Sequence, residues 1–109
     1  MATTYKVLGQ INPTANTATT LYTVPAATQT VVSTIAVCNQ AATASTFSLA
    51  VQPAGAAITA KHYLNYQTPI PGNDTITITI GLTLGNTDVI SANVGSGSIS
   101  VHAYGSELT

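Results

Sequence analysis

The clearest signal along the chain is an alternation of threonine and isoleucine over residues 75–80. Side chains on one face of a β-strand recur every two residues, so Ile76, Ile78 and Ile80 should share a face. Turn-forming residues 69–74 precede this run, and Gly81 follows it. We therefore expect a strand whose isoleucines lie in the core. Its other face, formed by Thr75, Thr77 and Thr79, should be open to solvent or to a partner.

Short runs rich in β-branched residues, separated by turn residues, recur along the rest of the chain. Because β-branched side chains favour strands, these runs predict eight strands, near residues 4–10, 19–24, 29–39, 45–52, 61–67, 74–84, 87–94 and 97–105. Alternate positions in three of them form rows that we expect to face the core: Val31, Ser33, Ile35 and Val37; Phe47, Leu49 and Val51; Ile99, Val101 and Ala103.

The alanine-rich stretches are too short for stable helices, and Pro25 and Pro53 precede two of them. We expect at most one short helical turn, near residues 54–58. Eight short strands in a chain of 109 residues predict an all-β fold, a single-domain antiparallel β-sandwich of jelly-roll or immunoglobulin-like type over residues 1–109.

The chain has few charged residues and many residues with a hydroxyl group, threonine and serine. Only 5% of the residues are charged, none is arginine, and apolar residues reach 45%. Nucleic acids and anionic membranes are held by clusters of Lys and Arg, so we expect neither as a partner. No apolar run is long enough to span a membrane, and residues 1–6 lack the apolar stretch of a secretion signal. A net charge of -1 gives little self-repulsion, which favours self-association.

The residues that could carry chemistry are few and scattered. His62, His102, Asp74 and Asp88 show no paired-ligand spacing, and no nucleophile elbow or phosphate-binding loop is present. We therefore predict no enzymatic activity, no bound metal and no cofactor. Cys38 is the sole cysteine and lies in an apolar run, which predicts a small buried side chain.

Aromatic and amide side chains are concentrated at residues 62–66, just after Lys61. Exposed aromatic rings beside amides stack on sugars or anchor protein interfaces. In the last predicted strand, His102 and Tyr104 fall on the face opposite Ile99 and Val101. The candidate interface residues are His62, Tyr63, Asn65, Tyr66, Thr75, Thr77, Thr79, His102 and Tyr104.

Residues 21–26 (Leu-Tyr-Thr-Val-Pro-Ala) and 31–39 resemble the opening of small structural proteins of tailed phages, including cyanophages. The resemblance continues through Phe47, the turn at 53–57, the Lys-His-Tyr at 61–63, and residues 73–75 and 82–84, and it spans about residues 6–107. It implies a virion component made in the host cytoplasm and assigns no catalytic or ligand residues. Such proteins often have Arg where this chain has Ser48 or Gln52.

The first function expected from the resemblance is a capsid decoration, or cement, protein that bridges and stabilises major capsid proteins. Such a subunit would be a homo-oligomer, with a trimer favoured, since several modest contacts made together raise avidity. The runner-up is a tail, baseplate or fibre-associated subunit that contacts tail proteins. A third possibility, from a different class, is a carbohydrate-binding module that uses Tyr63, Asn65, Tyr66 and Tyr104.

Overall fold

A computed structural model describes residues 2–109, which form nine strands and two single 3₁₀ turns. The strands are β1 (Thr3–Ile11), β2 (Thr19–Thr23), β3 (Gln29–Asn39), β4 (Ser45–Gln52), β5 (Tyr63–Ile70), β6 (Asp74–Ile78), β7 (Leu82–Leu84), β8 (Val89–Val94) and β9 (Ile99–Leu108), with the turns at Pro53–Gly55 and Ala60–His62. None of the helical segments in this part of the chain is long and apolar enough to cross a membrane.

The strands form two antiparallel sheets, which confirms the predicted β-sandwich. Sheet A has the order β1-β9-β3-β6, with β7 also paired to β3, and sheet B has the order β2-β8-β4-β5. In each sheet a late strand lies between two early ones, β9 between β1 and β3 and β8 between β2 and β4. This is the order of a jelly roll, in which paired strands wind together across both sheets, so of the two predicted sandwich types the jelly roll is the one found.

The core lies between the sheets and contains the predicted rows only in part. Phe47 and Leu49 on β4 are buried, as are Ile99, Val101 and Ala103 on β9. Val51 is half-buried and packs at the edge of this core. The other fully buried side chains come from β3, β5 and β8 and from the residue that follows β2, and they include Val24, Val32, Ile35, Val37, Ile70, Ile90 and Val94.

The predicted inward row on β3 is wrong at its first half. Ile35 and Val37 are buried, but Val31 is 39% exposed and Ser33 is also exposed, while Val32 points inward. The pairing of β3 with β9 shifts by one residue between Val32 and Thr34, which leaves Ser33 as a β-bulge. A bulge inserts one residue into the period-two pattern. Even-numbered residues such as Val32 therefore face the core before the bulge, and odd-numbered residues such as Ile35 and Val37 face it afterwards.

The predicted strand over 74–84 is two strands, because Gly81 turns the chain with φ +58° between β6 and β7. Ile80 lies beyond the end of β6 and is 50% exposed, so its assignment to the core is wrong. Ile76 and Ile78 are half-buried and pack against the core. Thr75, Thr77 and Thr79 are exposed, as the alternation predicted.

Three other local expectations need correction. The predicted strand at 61–67 begins only at Tyr63, because a 3₁₀ turn occupies Ala60–His62, and the other helical turn is at Pro53–Gly55 instead of 54–58. Cys38 is half-buried, not buried, because β3 alternates there and places the neighbouring Val37 in the core.

Candidate binding surfaces

The strand register defines the outer face of sheet A. Tyr5 on β1 is opposite Ser106 on β9, which is opposite Val31 on β3, which is opposite Thr83 on β7. Val7 is paired with Tyr104 in the adjacent row. These pairs point away from the core, and Tyr5 is the most exposed large hydrophobic side chain among residues 2–109, at 84%. One end of the outer face therefore exposes three large hydrophobic side chains, two on β1 and one on β3, among hydroxyl groups of β7 and β9.

The same face continues along the sheet in two further rows. Gln10, His102, Ala36 and Thr77 form one row, and Ser100, Cys38 and Thr75 form the next. The rings of His102 and Tyr104 stack with their centroids 6.2 Å apart, and Gln10 Nε2 lies 3.1 Å from His102 Nδ1. Four of the candidate residues thus share one surface: Thr75, Thr77, His102 and Tyr104.

Among residues 2–109, no carboxylate or ammonium side chain lies on the outer face of sheet A. Lys6 is opposite Gly105, Glu107 is opposite the buried Thr30, and Asp74 is opposite the buried Asn39, so these three belong to the inner side of the sheet. The sequence analysis missed Tyr5, Val7 and Val31 as members of this surface. The spacing of two between Tyr5 and Val7 indicated that they share one face of the first strand. The sequence does not show, however, which face of an edge strand packs on the core and which faces outward.

A second surface lies on the outer side of sheet B, where two bulges bring Tyr63 and Tyr66 together. Residues three apart on a regular strand face opposite sides. In β5 the register against β4 shifts twice, between the pairs Phe47–Thr68 and Leu49–Asn65 and between Leu49–Asn65 and Ala50–Tyr63. The two tyrosine rings consequently meet edge to face, with centroids 4.9 Å apart and an interplanar angle of 73°.

These two tyrosines line two adjoining hollows, which together we call the tyrosine groove. The polar hollow has a volume of about 160 Å³ and is otherwise lined by Asn16, Thr46, Ser48, Gln67, Asn93, Val94 and Gly95. The second hollow, of about 390 Å³, is otherwise lined by Ile58, Thr59 and Ala60. No Lys, His, Asp or Glu is among the residues that line either hollow.

Hydrogen bonds from backbone N–H groups fix the wall of the groove. Gln67 adopts φ +49°, and its N–H donates to Ser48 Oγ over 2.8 Å. Asn16 adopts φ +58°, and its N–H donates to the carbonyl of Val94 over 2.7 Å. Within residues 2–109, no hydrogen bond engages the side-chain amides of Asn16, Gln67 or Asn93. The groove therefore presents three amides that are available to a ligand.

The other candidate residues are not brought together. His62 closes the 3₁₀ turn before β5, where its Nδ1 accepts from the N–H of Thr59 over 2.9 Å. Asn65 pairs with Leu49 and does not line the groove. Thr79 lies just beyond β6. Tyr104 is on sheet A, so the set Tyr63, Asn65, Tyr66 and Tyr104 expected for a carbohydrate-binding module does not form a single site.

An ionisable cluster closes one end of the sandwich. The Tyr22 hydroxyl is 2.8 Å from Thr30 Oγ1 and donates to Glu107 Oε2 over 2.5 Å, while Lys6 Nζ is 3.2 Å from Glu107 Oε1. Burial, reinforced by the hydrogen bond to Glu107, raises the pKa of Tyr22 to about 12. The Tyr22 hydroxyl and the nearby Lys6 hold the pKa of Glu107 below its ordinary value. The cluster joins β2 of one sheet to β1, β3 and β9 of the other.

Among residues 2–109, no three His, Cys, Asp or Glu side chains come close enough together to hold a metal ion. Comparison of the chain with models of protein families, with curated proteins and with solved structures gives no match.

Proposed function

We propose that this protein is a non-enzymatic virion subunit that decorates a phage capsid by docking the outer face of sheet A onto the major capsid protein. The observation that carries the proposal is the uncharged outer face of sheet A, which exposes Tyr5, Val7 and Val31 in adjacent rows. Protein interfaces are enriched in aromatic residues and depleted of charge at their centres.

The fold and the resemblance of residues 6–107 to small tailed-phage structural proteins support the same proposal. Jelly rolls occur in viral capsid domains, although a fold taken alone is an analogy and not an activity. A small subunit that joins into an oligomer, for which we favour a trimer, would bridge several capsid proteins at once. Its contacts would add through effective concentration, so each could remain modest.

The arrangement of charge predicts how the contact should respond to salt. Because Lys6, Glu107 and Asp74 belong to the inner side of sheet A, the docking contact would contain no carboxylate or ammonium side chain and would be screened little by salt. Release of the protein by a modest rise in ionic strength would contradict docking through this face.

The decisive experiment is to locate and count the protein in purified virions. Quantitative mass spectrometry should give on the order of hundreds of copies per particle, because a decoration protein follows the symmetry of the capsid lattice. A cryo-EM map should show the sandwich on the outside of the shell with sheet A against it. Density confined to the tail, with on the order of tens of copies, would replace the proposal with a tail, baseplate or fibre-associated subunit.

A further inference from the structure

We propose that the tyrosine groove on sheet B binds a neutral saccharide, with Tyr66 as the platform under a sugar ring. This inference concerns the sheet opposite the docking face, so it does not depend on the capsid proposal. It also differs from the carbohydrate site expected from the sequence, because Asn16, Gln67 and Asn93 take the place of Asn65 and Tyr104.

The first argument is the match between the groove and the two faces of a sugar. A pyranose ring presents apolar C–H groups on its faces and hydroxyl groups around its edge. Tyr66 is 64% exposed and supplies an aromatic surface for the ring face. Side-chain amides both donate and accept, as hydroxyl groups do, and three of them border the same hollow.

The second argument is the absence of charge from the lining. A site for an anionic ligand would place Lys, Arg or a cluster of N–H groups around it. Lys61 and His62 instead border another hollow, which shares only Tyr63 with the groove and is otherwise lined by Val51, Pro53, Ala56 and Leu64. The chemistry of the groove thus favours a neutral sugar over a sialylated or phosphorylated one.

The third argument is that the groove is built before any ligand arrives. The two bulges in β5 put Tyr63 and Tyr66 on one face, and bulges commonly re-aim side chains next to functional sites. Gln67 has a left-handed backbone, which is costly for a residue other than glycine and is found where the surrounding structure enforces it. A preformed site loses less entropy on binding.

The size of the groove sets the length of the ligand. The polar hollow of about 160 Å³ has room for little more than one ring, and the adjoining hollow of about 390 Å³ continues past the same two tyrosines. We therefore expect a disaccharide to bind more tightly than its monosaccharide, with one ring on each side of Tyr66.

The test uses the isolated full-length protein with defined sugars. An array of neutral glycans is followed by NMR titration with maltose, cellobiose, lactose and mannobiose up to about 10 mM, since a shallow site implies a Kd near the millimolar range. Sialyllactose serves as the charged partner of lactose. We expect saturable shifts at Asn16, Gln67 and Asn93 with at least one neutral disaccharide, and weaker binding of sialyllactose than of lactose if lactose is among the ligands.

Matched variants decide whether the groove is responsible. Tyr66→Ala should weaken binding at least tenfold, whereas Tyr5→Ala, which removes an even more exposed tyrosine from sheet A, should leave it unchanged. Asn93→Ala should weaken binding without removing the aromatic platform. The proposal is overturned if neither the array nor the titration detects a neutral sugar, or if Tyr66→Ala binds as well as the wild type. Unchanged thermal unfolding of Tyr66→Ala verifies that the variant is folded.

Discussion

At the scale of single residues, Tyr22 links the two sheets through its hydroxyl group. Replacing it with Phe keeps the ring but removes the hydrogen bonds to Glu107 and to the fully buried Thr30. A hydrogen bond to a charged group contributes about 1.5–3 kcal/mol, so Tyr22→Phe should lower the free energy of unfolding by roughly that amount in urea denaturation. Tyr5→Phe is the control, and it should change stability by less than about 0.5 kcal/mol because Tyr5 is exposed.

The same cluster predicts how stability depends on pH. A folded-state pKa below the unfolded value means that the ionised Glu107 stabilises the protein above pH about 4.5, and that this contribution is lost as the pH falls through the folded pKa. Glu107→Gln should therefore lose less stability than the wild type between pH 7 and pH 3. Tyr22→Phe should show a similar reduction, because the tyrosine hydroxyl is the largest cause of the shift. A Glu107→Gln protein with the pH dependence of the wild type would contradict this role.

On the alkaline side the sign is reversed. The pKa of Tyr22 is about 12 in the folded protein and near 10 when unfolded, so the contribution of the neutral hydroxyl is complete below pH 10 and declines between pH 10 and 12. The difference in tyrosinate absorbance between the wild type and Tyr22→Phe should isolate this one titration. A midpoint near 10 in that difference would show that the hydroxyl is not buried as described.

At the scale of strands, β9 depends on Gly105 where β3 bulges beside it. A Cβ on Gly105 would overlap the backbone carbonyl of Val31, whereas a Cβ on Gly97 would meet no atom within 4 Å. Crowding a well-packed interior typically costs about 1–3 kcal/mol, so Gly105→Ala should lower the urea midpoint clearly. Gly97→Ala should leave it unchanged or slightly higher. Equal midpoints for the two variants would mean that the bulge relaxes without cost.

The bulges also mark the limit of what the sequence predicts about the strands. Period-two patterning located the strands and the buried rows of β4 and β9, because one face of each is apolar. It failed at Val31 and Ser33, where an inserted residue reverses the phase, and at Ile80, which lies just before the turn at Gly81. The contact between Tyr63 and Tyr66 could not be predicted either. Residues three apart share a face of a strand only where the register shifts, as it does in β5.

At the scale of the whole molecule, the jelly roll places two chemically different surfaces on opposite sides of one core. The outer face of sheet A is broad, uncharged and partly apolar, and the tyrosine groove of sheet B is narrow, uncharged and rich in amides. A subunit with this arrangement can attach to a particle with one sheet and leave the other sheet open to the medium. Six of the nine candidate residues named from the sequence lie on these two surfaces, four on sheet A and two in the groove. The sequence could not separate them, because only the strand order shows which strands belong to the same sheet.

This separation can be tested with two identical substitutions on opposite sheets. Thr77→Lys adds a charge to the outer face of sheet A, and Thr20→Lys adds one to the outer face of sheet B, where Thr20 pairs with Ser91. Both positions are exposed, so both variants should unfold within about 0.5 kcal/mol of the wild type. Docking through sheet A would bury an unpaired ammonium in Thr77→Lys alone, which is strongly unfavourable. Co-sedimentation with particles stripped of the native protein should thus be at least about tenfold weaker for Thr77→Lys and unchanged for Thr20→Lys.

If Thr77→Lys binds the particles normally, sheet A faces solvent. If Thr20→Lys is the defective variant, the protein docks through the opposite sheet, and the tyrosine groove would lie on the side that faces the shell.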